Sequence, residues 1–329
     1  MSDNESESEQ QQQMEKIFIC ADIWYGVFAF IRPLELGLKM ALISDRFGRF
    51  GGRPFQVEEM KWSPNALVNG GQFLKDRLQG KVIGFKRIII SYIDQTVIEF
   101  LQRIRRLFDS SGTNVWIITD NDQSRSWEII WQNIWPLVND NICGFILYSS
   151  QLDRLRRFSP AILRNCANLR SIESSGLFPE FPADDNAEAS SARALAKWLL
   201  TPRGDGLPKM LYCRFYSKKM KGLKKSFLNA SEPVNFIIRL RSFAGIEPFE
   251  LKNNWTRERL TFRRINEDKW LLVRCPIVRE KDKWTKWEKE AIRWEWKRQR
   301  NCIAITFQDS GIGDVMGEAN EGPSEEPTE

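Results

Sequence analysis

The chain has 329 residues, of which 42% are hydrophobic and 12% aromatic, and its 49 Lys and Arg residues exceed its 43 Asp and Glu residues. This length and apolar content are enough for two domains, or for one elongated array with a sizeable core. Histidine is absent, which excludes imidazole bases, Ser-His and Cys-His nucleophile pairs and every His-containing zinc site.

Both ends of the sequence are acidic. Residues 1–15 contain five acids and a run of glutamines, and residues 309–329 contain seven acids with no Lys or Arg. Such compositions bury too little apolar surface to fold, so we expect two disordered tails. Between them, residues 16–308 carry 49 basic and 31 acidic side chains, a net charge of +18. This charge calls for an acidic protein target, or for acidic tails that fold back over a basic body.

The stretch after the first tail is dense in large apolar side chains. Residues 17–31 repeat them at helical spacing, and Pro33 can begin a second helix that is apolar nearly all round. Asp22 and Arg32 interrupt the run short of the ~20 apolar residues of a membrane span, and no signal-peptide pattern precedes it. Helices this short cannot bury so much apolar surface among themselves, so we expect a partner or the rest of the chain to cover it.

A regular alternation of strands and helices follows a Gly/Arg-rich turn at 48–55 and an expected linker up to residue 80. The strand centres Ile89, Ile117, Ile146 and Ile172 are separated by 28, 29 and 26 residues, which is the upper end of the leucine-rich-repeat range. We expect an irregular solenoid; an ordinary open α/β sheet explains the same alternation and remains the alternative. The expected strands are 87–93, 113–119, 141–149, 168–174, 207–216 and 233–242, and the expected helices are 94–108, 124–138, 152–166 and 218–229.

The pattern changes after residue 246. We expect a hairpin over 258–277, a helix over 282–300 and a strand over 302–308. A solenoid needs its open end covered, so we expect these three pieces to form a cap.

Two stretches are candidates for a nucleic-acid surface. One is the basic segment 214–225, and the other is the expected C-terminal helix, in which Trp284, Trp287, Ala291 and Trp294 form a single stripe. Core packing explains that stripe better, because the nine basic residues between 279 and 300 are offset by five acidic ones, which is typical of a solvated face. We do not expect nucleic acid as a partner.

Nothing in the sequence points to catalysis or to a cofactor. The six cysteines are scattered, so we expect free thiols in a reducing compartment, the cytoplasm or the nucleus. There is no P-loop, and the acidic loop that begins at Asp120 has Arg125 where a calcium loop needs glycine. A carboxylate pair or a lysine could still act in catalysis, but we expect no enzyme activity, no metal and no cofactor.

The residue order near the N-terminus resembles the F-box. An apolar pair, Ile19-Cys20, precedes Asp22-Ile23-Trp24, Val27-Phe28, Phe30-Ile31, Pro33, Glu35-Leu36, Ala41-Leu42-Ile43-Ser44 and Arg46-Phe47. The match covers about thirty of the 329 residues, and its proline and closing Ser-x-Arg-Phe are its most specific parts. Ile19-Cys20 stand where the family usually has Leu-Pro. The remainder, including "PAILRNCANLRSIES" and "WLLVRCPI", resembles the lineage-expanded F-box proteins of plant-parasitic nematodes.

The resemblance implies an adaptor rather than an enzyme. The F-box would form three short helices and bind the Skp-family linker subunit of a Skp-cullin-F-box ubiquitin ligase. The C-terminal region would hold an unknown protein substrate, to which other subunits transfer ubiquitin. From the sequence itself we expect neither a membrane nor a cofactor as a partner of this chain. The residues implied to contact the linker subunit are Ile19, Cys20, Ile23, Phe28, Ile31, Pro33, Leu36 and Leu42.

These expectations define an α+β or α/β chain with six segments. They are an acidic tail at 1–15, the F-box at 16–53, a linker at 54–80, a leucine-rich-repeat-like strand–helix region at 81–246, a C-terminal hairpin–helix–strand cap at 247–308 and an acidic tail at 309–329. Two other functions stay open: a protein-interaction scaffold with a degenerate F-box, and a basic nucleic-acid-binding module.

Overall fold

The computed structural model describes residues 49–50, 53–54, 57–62, 85–109, 112–242 and 246–313. They form a mixed α/β structure with one large sheet, which confirms the broad fold class. The strands are β1 (Arg49–Phe50), β2 (Arg53–Pro54), β3 (Val57–Trp62), β4 (Phe85–Ile90), β5 (Thr113–Ile117), β6 (Ile142–Ile146), β7 (Ser171–Glu173), β8 (Lys209–Arg214), β9 (Phe236–Arg241), β10 (Phe249–Asn253), β11 (Glu258–Arg264), β12 (Lys269–Pro276) and β13 (Cys302–Ile305). The helices are α1 (Gln95–Asp109), α2 (Ser124–Ile129), which a π-helical stretch (Ile130–Ile134) joins to α3 (Trp135–Val138), α4 (Ser149–Phe158), α5 (Ile162–Asn165), α6 (Ser191–Leu200), α7 (Ser217–Leu228) and α8 (Lys281–Arg293).

Eleven strands form the large sheet, in the order β3-β4-β13-β5-β6-β7-β8-β9-β12-β11-β10. The strands from β3 to β9 are parallel, whereas β12, β11 and β10 continue the sheet as an antiparallel meander. β1 and β2 pair only with each other, antiparallel, in agreement with the turn expected at 48–55. Each strand expected between residues 87 and 242 is present, and most are shorter than the apolar runs that predict them.

Alternate residues of each strand face two different cores. On β8, Leu211 and Cys213 belong to the larger core, which helices α1 to α7 cover, whereas Met210 and Tyr212 belong to a smaller core on the other face. The strand order advances in one direction from β4 to β9, and right-handed crossovers that all advance in one direction place their helices on one face. A stack of strand–helix units also has its strands in sequence order and its helices on one face.

Helix α8 lies on the opposite face of the sheet. Trp284 and Ala291 of this helix, with Trp294 just beyond its end, pack into the smaller core against Met210 and Tyr212. The chain then returns to the middle of the sheet, where β13 pairs in parallel with β4 on one side and with β5 on the other. α8 therefore covers part of the face that a simple solenoid would leave open.

The C-terminal unit does not simply cap the array, as we expected. β10 to β12 do extend one end of the sheet, but α8 crosses a face and β13 is an interior strand. All four residues of β13 are buried, and a strand that is apolar on both faces is typical of the interior of a parallel sheet rather than of its edge. The C-terminal helix also ends at Arg293 rather than at residue 300.

Two expected boundaries differ as well. β3 lies within the expected linker at 54–80 and pairs in parallel with β4, so the sheet begins earlier than the sequence indicates. Residues 309–313, which we expected in the acidic tail, belong to the fold. Asp309 accepts hydrogen bonds from the backbone N–H and the hydroxyl of Ser126, at 2.8 and 2.7 Å. A composition averaged over a long window cannot show single contacts of this kind.

Candidate functional site at the carboxyl edge of the sheet

The parallel strands β7, β8 and β9 end at the same edge of the sheet, beside the start of the antiparallel strand β12. A cavity of about 160 Å³ opens there, and we call it the edge pocket. In open α/β sheets, ligands bind beyond the carboxyl ends of the strands, so its position alone makes it a candidate site. The charged and aromatic lining of the edge pocket is Glu173, Tyr212, Arg214, Arg239, Arg241 and Lys269.

Three cations form a row at the mouth of the edge pocket. Arg214 is directly opposite Arg241 in the β8–β9 pairing, and Arg241 is directly opposite Lys269 in the β9–β12 pairing. Neighbouring strands are only about 4.8 Å apart, and like charges directly opposite each other destabilise a sheet. Within the described part of the chain, Arg241 has an ion pair with Asp268 at 3.3 Å, whereas Arg214 and Lys269 have none. The row therefore carries uncompensated positive charge.

Arg239 forms the floor of the edge pocket and connects it to α8. Its guanidinium carbon lies 4.6 Å from the centroid of the Tyr212 ring, and that ring stacks on Trp294 with the centroids 4.2 Å apart. The Nη1 atom of Arg239 donates hydrogen bonds to the carbonyl oxygens of Ile292 and Trp294, at 3.1 and 2.8 Å. Because an arginine side chain satisfies these carbonyls, the helix can end at Arg293. Burial lowers the pKa of the Arg239 guanidinium.

Glu173 places a carboxylate in this basic surrounding. It lies directly opposite Tyr212 in the β7–β8 pairing and is half-buried. Burial raises the pKa of the Glu173 carboxyl group, and the nearby Arg239 and Arg241 oppose that rise. Among the described residues, no side chain or backbone group forms a hydrogen bond or an ion pair with the Glu173 carboxylate. Glu173 is therefore free to accept a hydrogen bond from a ligand.

The amino end of helix α7 adds to the positive charge of this edge. The helix begins at Ser217, shortly after Arg214 ends β8, and its first turn contains no acid. No side chain caps its free backbone N–H groups, which carry partial positive charge. Lys218 in that first turn is exposed. The amino end of α7 and the cation row therefore both attract an approaching anion.

The same edge of the sheet is acidic farther along. Asp120 and Asp122 follow β5 and are exposed. β5 lies three strands from β8, a distance of about 14 Å at the usual strand spacing. The edge therefore carries positive charge beyond β8, β9 and β12, whereas beyond β5 it carries the carboxylates of Asp120 and Asp122 with the exposed Arg125 close by in sequence.

The chemistry available at the edge pocket is that of charge recognition. Cys213 is the one thiol in its lining, and burial raises the pKa of that thiol, which disfavours the reactive thiolate. No group of three or more potential metal ligands comes together in the part of the chain that the structure describes. Within the same residues, no helix has the length and apolar character needed to cross a membrane.

The structure places the sequence-predicted candidates in different ways. Trp284, Ala291 and Trp294 of the expected stripe are buried against the sheet and Trp287 packs beside them partly buried, which confirms the interpretation of the stripe as core. Of the basic segment 214–225, Arg214 lines the edge pocket, while Lys218, Lys221 and Lys225 are exposed on α7. The expected contacts with a linker subunit lie outside the described residues; they are Ile19, Cys20, Ile23, Phe28, Ile31, Pro33, Leu36 and Leu42.

Sequence reasoning missed most of the edge pocket. Glu173, Arg239 and Lys269 stand in or beside apolar strands, in the stretches "SIES", "FIIRLRS" and "DKWLLV". A charge that interrupts a buried strand is a signal that could have identified them. Comparison of the chain with protein-family models, with curated proteins and with solved structures finds no match.

Proposed function

We propose that the chain is a substrate-recognition adaptor of a Skp-cullin-F-box ubiquitin ligase. The observation that carries this proposal is the F-box-like residue order between Ile19 and Phe47, with its central Pro33 and closing Ser-x-Arg-Phe. In this proposal the F-box binds the Skp-family linker subunit, and the rest of the chain binds a protein that other subunits ubiquitinate. The chain itself then needs no catalytic residue, and it acts in the cytoplasm or the nucleus.

The described region supports the second half of this proposal. Its strands from β4 to β9 follow one another across the sheet with helices on one face, as leucine-rich-repeat-like units would, apart from the inserted β13. Such a framework holds side chains at fixed positions along an edge, which suits recognition of a protein surface. The edge pocket offers charge and hydrogen-bonding groups of the kind a binding site uses.

The test is capture of a purified Skp-family linker subunit by the full-length chain. Ile31→Ala combined with Pro33→Ala is expected to weaken capture at least about tenfold, because apolar anchors at the centre of an interface carry most of its affinity. The matched control is Trp255→Ala combined with Val278→Ala, since these apolar side chains are 83% and 92% exposed and lie outside the F-box. Capture that survives deletion of residues 16–50 would refute the adaptor function.

A protein-interaction scaffold with a degenerate F-box is the second candidate. Ile19-Cys20 in place of the usual Leu-Pro is the observation that favours it. This function predicts no capture of the linker subunit by the wild-type chain, together with a stable fold over the described residues. The nucleic-acid alternative loses one of its two supports, because Trp284 and Trp294 are buried and cannot stack on bases.

A further inference from the structure

We propose that the edge pocket binds an acidic segment of a target protein, whose carboxylate side chains pair with Arg214, Arg241 and Lys269. This inference rests on the proposed function, because it names the class of target that the adaptor would hold. The proposal places the surface that recognises the target at one edge of the sheet, at the carboxyl ends of β7, β8 and β9.

The position of α8 directs recognition to that edge. A simple solenoid would offer the face of its sheet opposite the helices as a binding surface. Here Trp284, Ala291 and Trp294 bury Tyr212 and Ile237 on that face, so a ligand cannot reach this part of the sheet. The cation row lies just beyond the covered area and remains accessible, with Arg214 and Arg241 exposed.

The cation row favours an anionic ligand. The strand pairing holds Arg214, Arg241 and Lys269 next to one another, and only Arg241 has a carboxylate partner among the described residues. A carboxylate that binds between them would relieve the repulsion and form charge-assisted hydrogen bonds. The pocket of about 160 Å³ has room for a side-chain carboxylate, but it is smaller than the ~300–1,000 Å³ typical of small-molecule sites.

Two features favour a peptide over a nucleic acid. The Glu173 carboxylate lies in the pocket without a partner among the described residues, and its charge repels a run of closely spaced phosphates more than a segment that places its acids beside the cation row. Asp120 and Asp122 lie along the same edge, where they would repel a phosphate backbone that continues past the pocket. A short acidic segment meets less of this repulsion, because it needs negative charge at one end only.

The test is fluorescence anisotropy of a labelled glutamate-rich peptide with the full-length protein at low salt. Arg214→Glu combined with Lys269→Glu is expected to weaken binding at least about tenfold, because it reverses two of the charges that face the peptide. The matched control is Lys281→Glu combined with Lys286→Glu, which changes the net charge equally at exposed positions of α8. This control should bind as the wild type does.

Arg214→Gln with Lys269→Gln should give an intermediate loss of binding, and the melting temperature of each variant reports whether it is folded.

A second measurement, the pH dependence of binding by Glu173→Gln, tests whether the peptide lies next to Glu173. At high pH the charged Glu173 carboxylate opposes an acidic peptide, and because burial raises the pKa of this group it becomes protonated at a higher pH than an exposed glutamate does. Glu173→Gln should therefore bind the glutamate-rich peptide more tightly at high pH, and the difference should shrink as the pH falls and Glu173 becomes protonated. A lysine-rich peptide of the same length should not bind through the cation row.

Three results would overturn the proposal. One is equal binding by the wild type, the pocket variant and the α8 control. The second is an affinity of Glu173→Gln that matches the wild type at every pH. The third is tighter binding of oligouridylate that the pocket variant also weakens, which would indicate a nucleic-acid site. Capture of the linker subunit is measured separately on the same proteins, so failure of the peptide test alone leaves the adaptor function standing.

Discussion

Arg274 and Glu258 form an ion pair between β12 and β11 that is almost completely shielded from water. The Nη2 atom of Arg274 lies 2.6 Å from a Glu258 oxygen, and the two side chains are 2% and 1% exposed. The other Glu258 oxygen accepts a hydrogen bond from the Val234 N–H at 2.8 Å, and Arg274 also donates to the Glu232 carbonyl at 2.9 Å. Two backbone groups, the Val234 N–H and the Glu232 carbonyl, therefore depend on this one pair of side chains.

Replacing Arg274 by Met is expected to lower the free energy of unfolding by about 3–5 kcal/mol, because it leaves the Glu258 charge buried without a partner. Denaturant unfolding measures the change. Arg263→Met is the matched control: Arg263 pairs with Glu288 at 3.0 Å but is 47% exposed, so its loss should cost less than about 1 kcal/mol. Adding Glu258→Leu to Arg274→Met should recover part of the loss; a double variant less stable than the single one would contradict this explanation.

The burial of Glu173 leads to a prediction about how the stability of the folded chain depends on pH. Its pKa is higher in the folded chain than in the unfolded chain, because burial disfavours the charged form. A carboxyl group of this kind opposes folding once the pH exceeds its folded pKa, and it has no such effect below its unfolded pKa. Glu173→Gln should therefore raise the melting temperature at neutral pH and lose this advantage as the solution becomes acidic. A gain that is constant with pH, or a loss at neutral pH, would contradict the assignment.

At the scale of the elements, α8 is attached by its tryptophans rather than by its charges. Trp294 is 7% exposed and stacks on Tyr212, whereas the salt bridges of the helix lie nearer the surface. Trp294→Ala is expected to lower the free energy of unfolding by about 3–5 kcal/mol, as other buried aromatic truncations do. Trp255→Ala provides the control, since Trp255 is 83% exposed and its loss should change stability by less than about 0.5 kcal/mol. Equal effects in chemical denaturation would mean that α8 is loosely held.

The helices and strands could be predicted from the sequence where their signals are local. Ile89, Ile117, Ile146 and Ile172 all lie in strands, because apolar periodicity and turn residues act over about ten neighbours, although Ile117 and Ile146 are the last residues of β5 and β6 rather than their centres. The place of β13 between β4 and β5 could not be predicted, because its pairing joins residues far apart in sequence. The edge pocket was missed for the same reason. Arg214, Arg241 and Lys269 become neighbours only through the strand register.

At the scale of the whole molecule, the sheet depends on β13, because this strand is the last in sequence but lies between β4 and β5. A chain that ends at Gly313 keeps every described element, so it should unfold cooperatively within a few degrees of the full-length melting temperature. A chain that ends at Arg300 lacks the strand between β4 and β5, and we expect it to lose its cooperative transition. Scanning calorimetry distinguishes the two. Cooperative unfolding of the shorter chain would instead indicate repeat units that stand by themselves.

The central place of β13 also affects how the chain folds during synthesis. β4 and β5 leave the ribosome long before the strand that joins them, so we expect their facing edges to stay unpaired until β13 has also emerged. The final contacts span the length of the domain; the Phe85 N–H, for example, bonds the Asn301 side chain 216 residues later. Such distant contacts slow folding, and unpaired strand edges attract other chains. We therefore expect newly made chains to need chaperones until β13 has emerged.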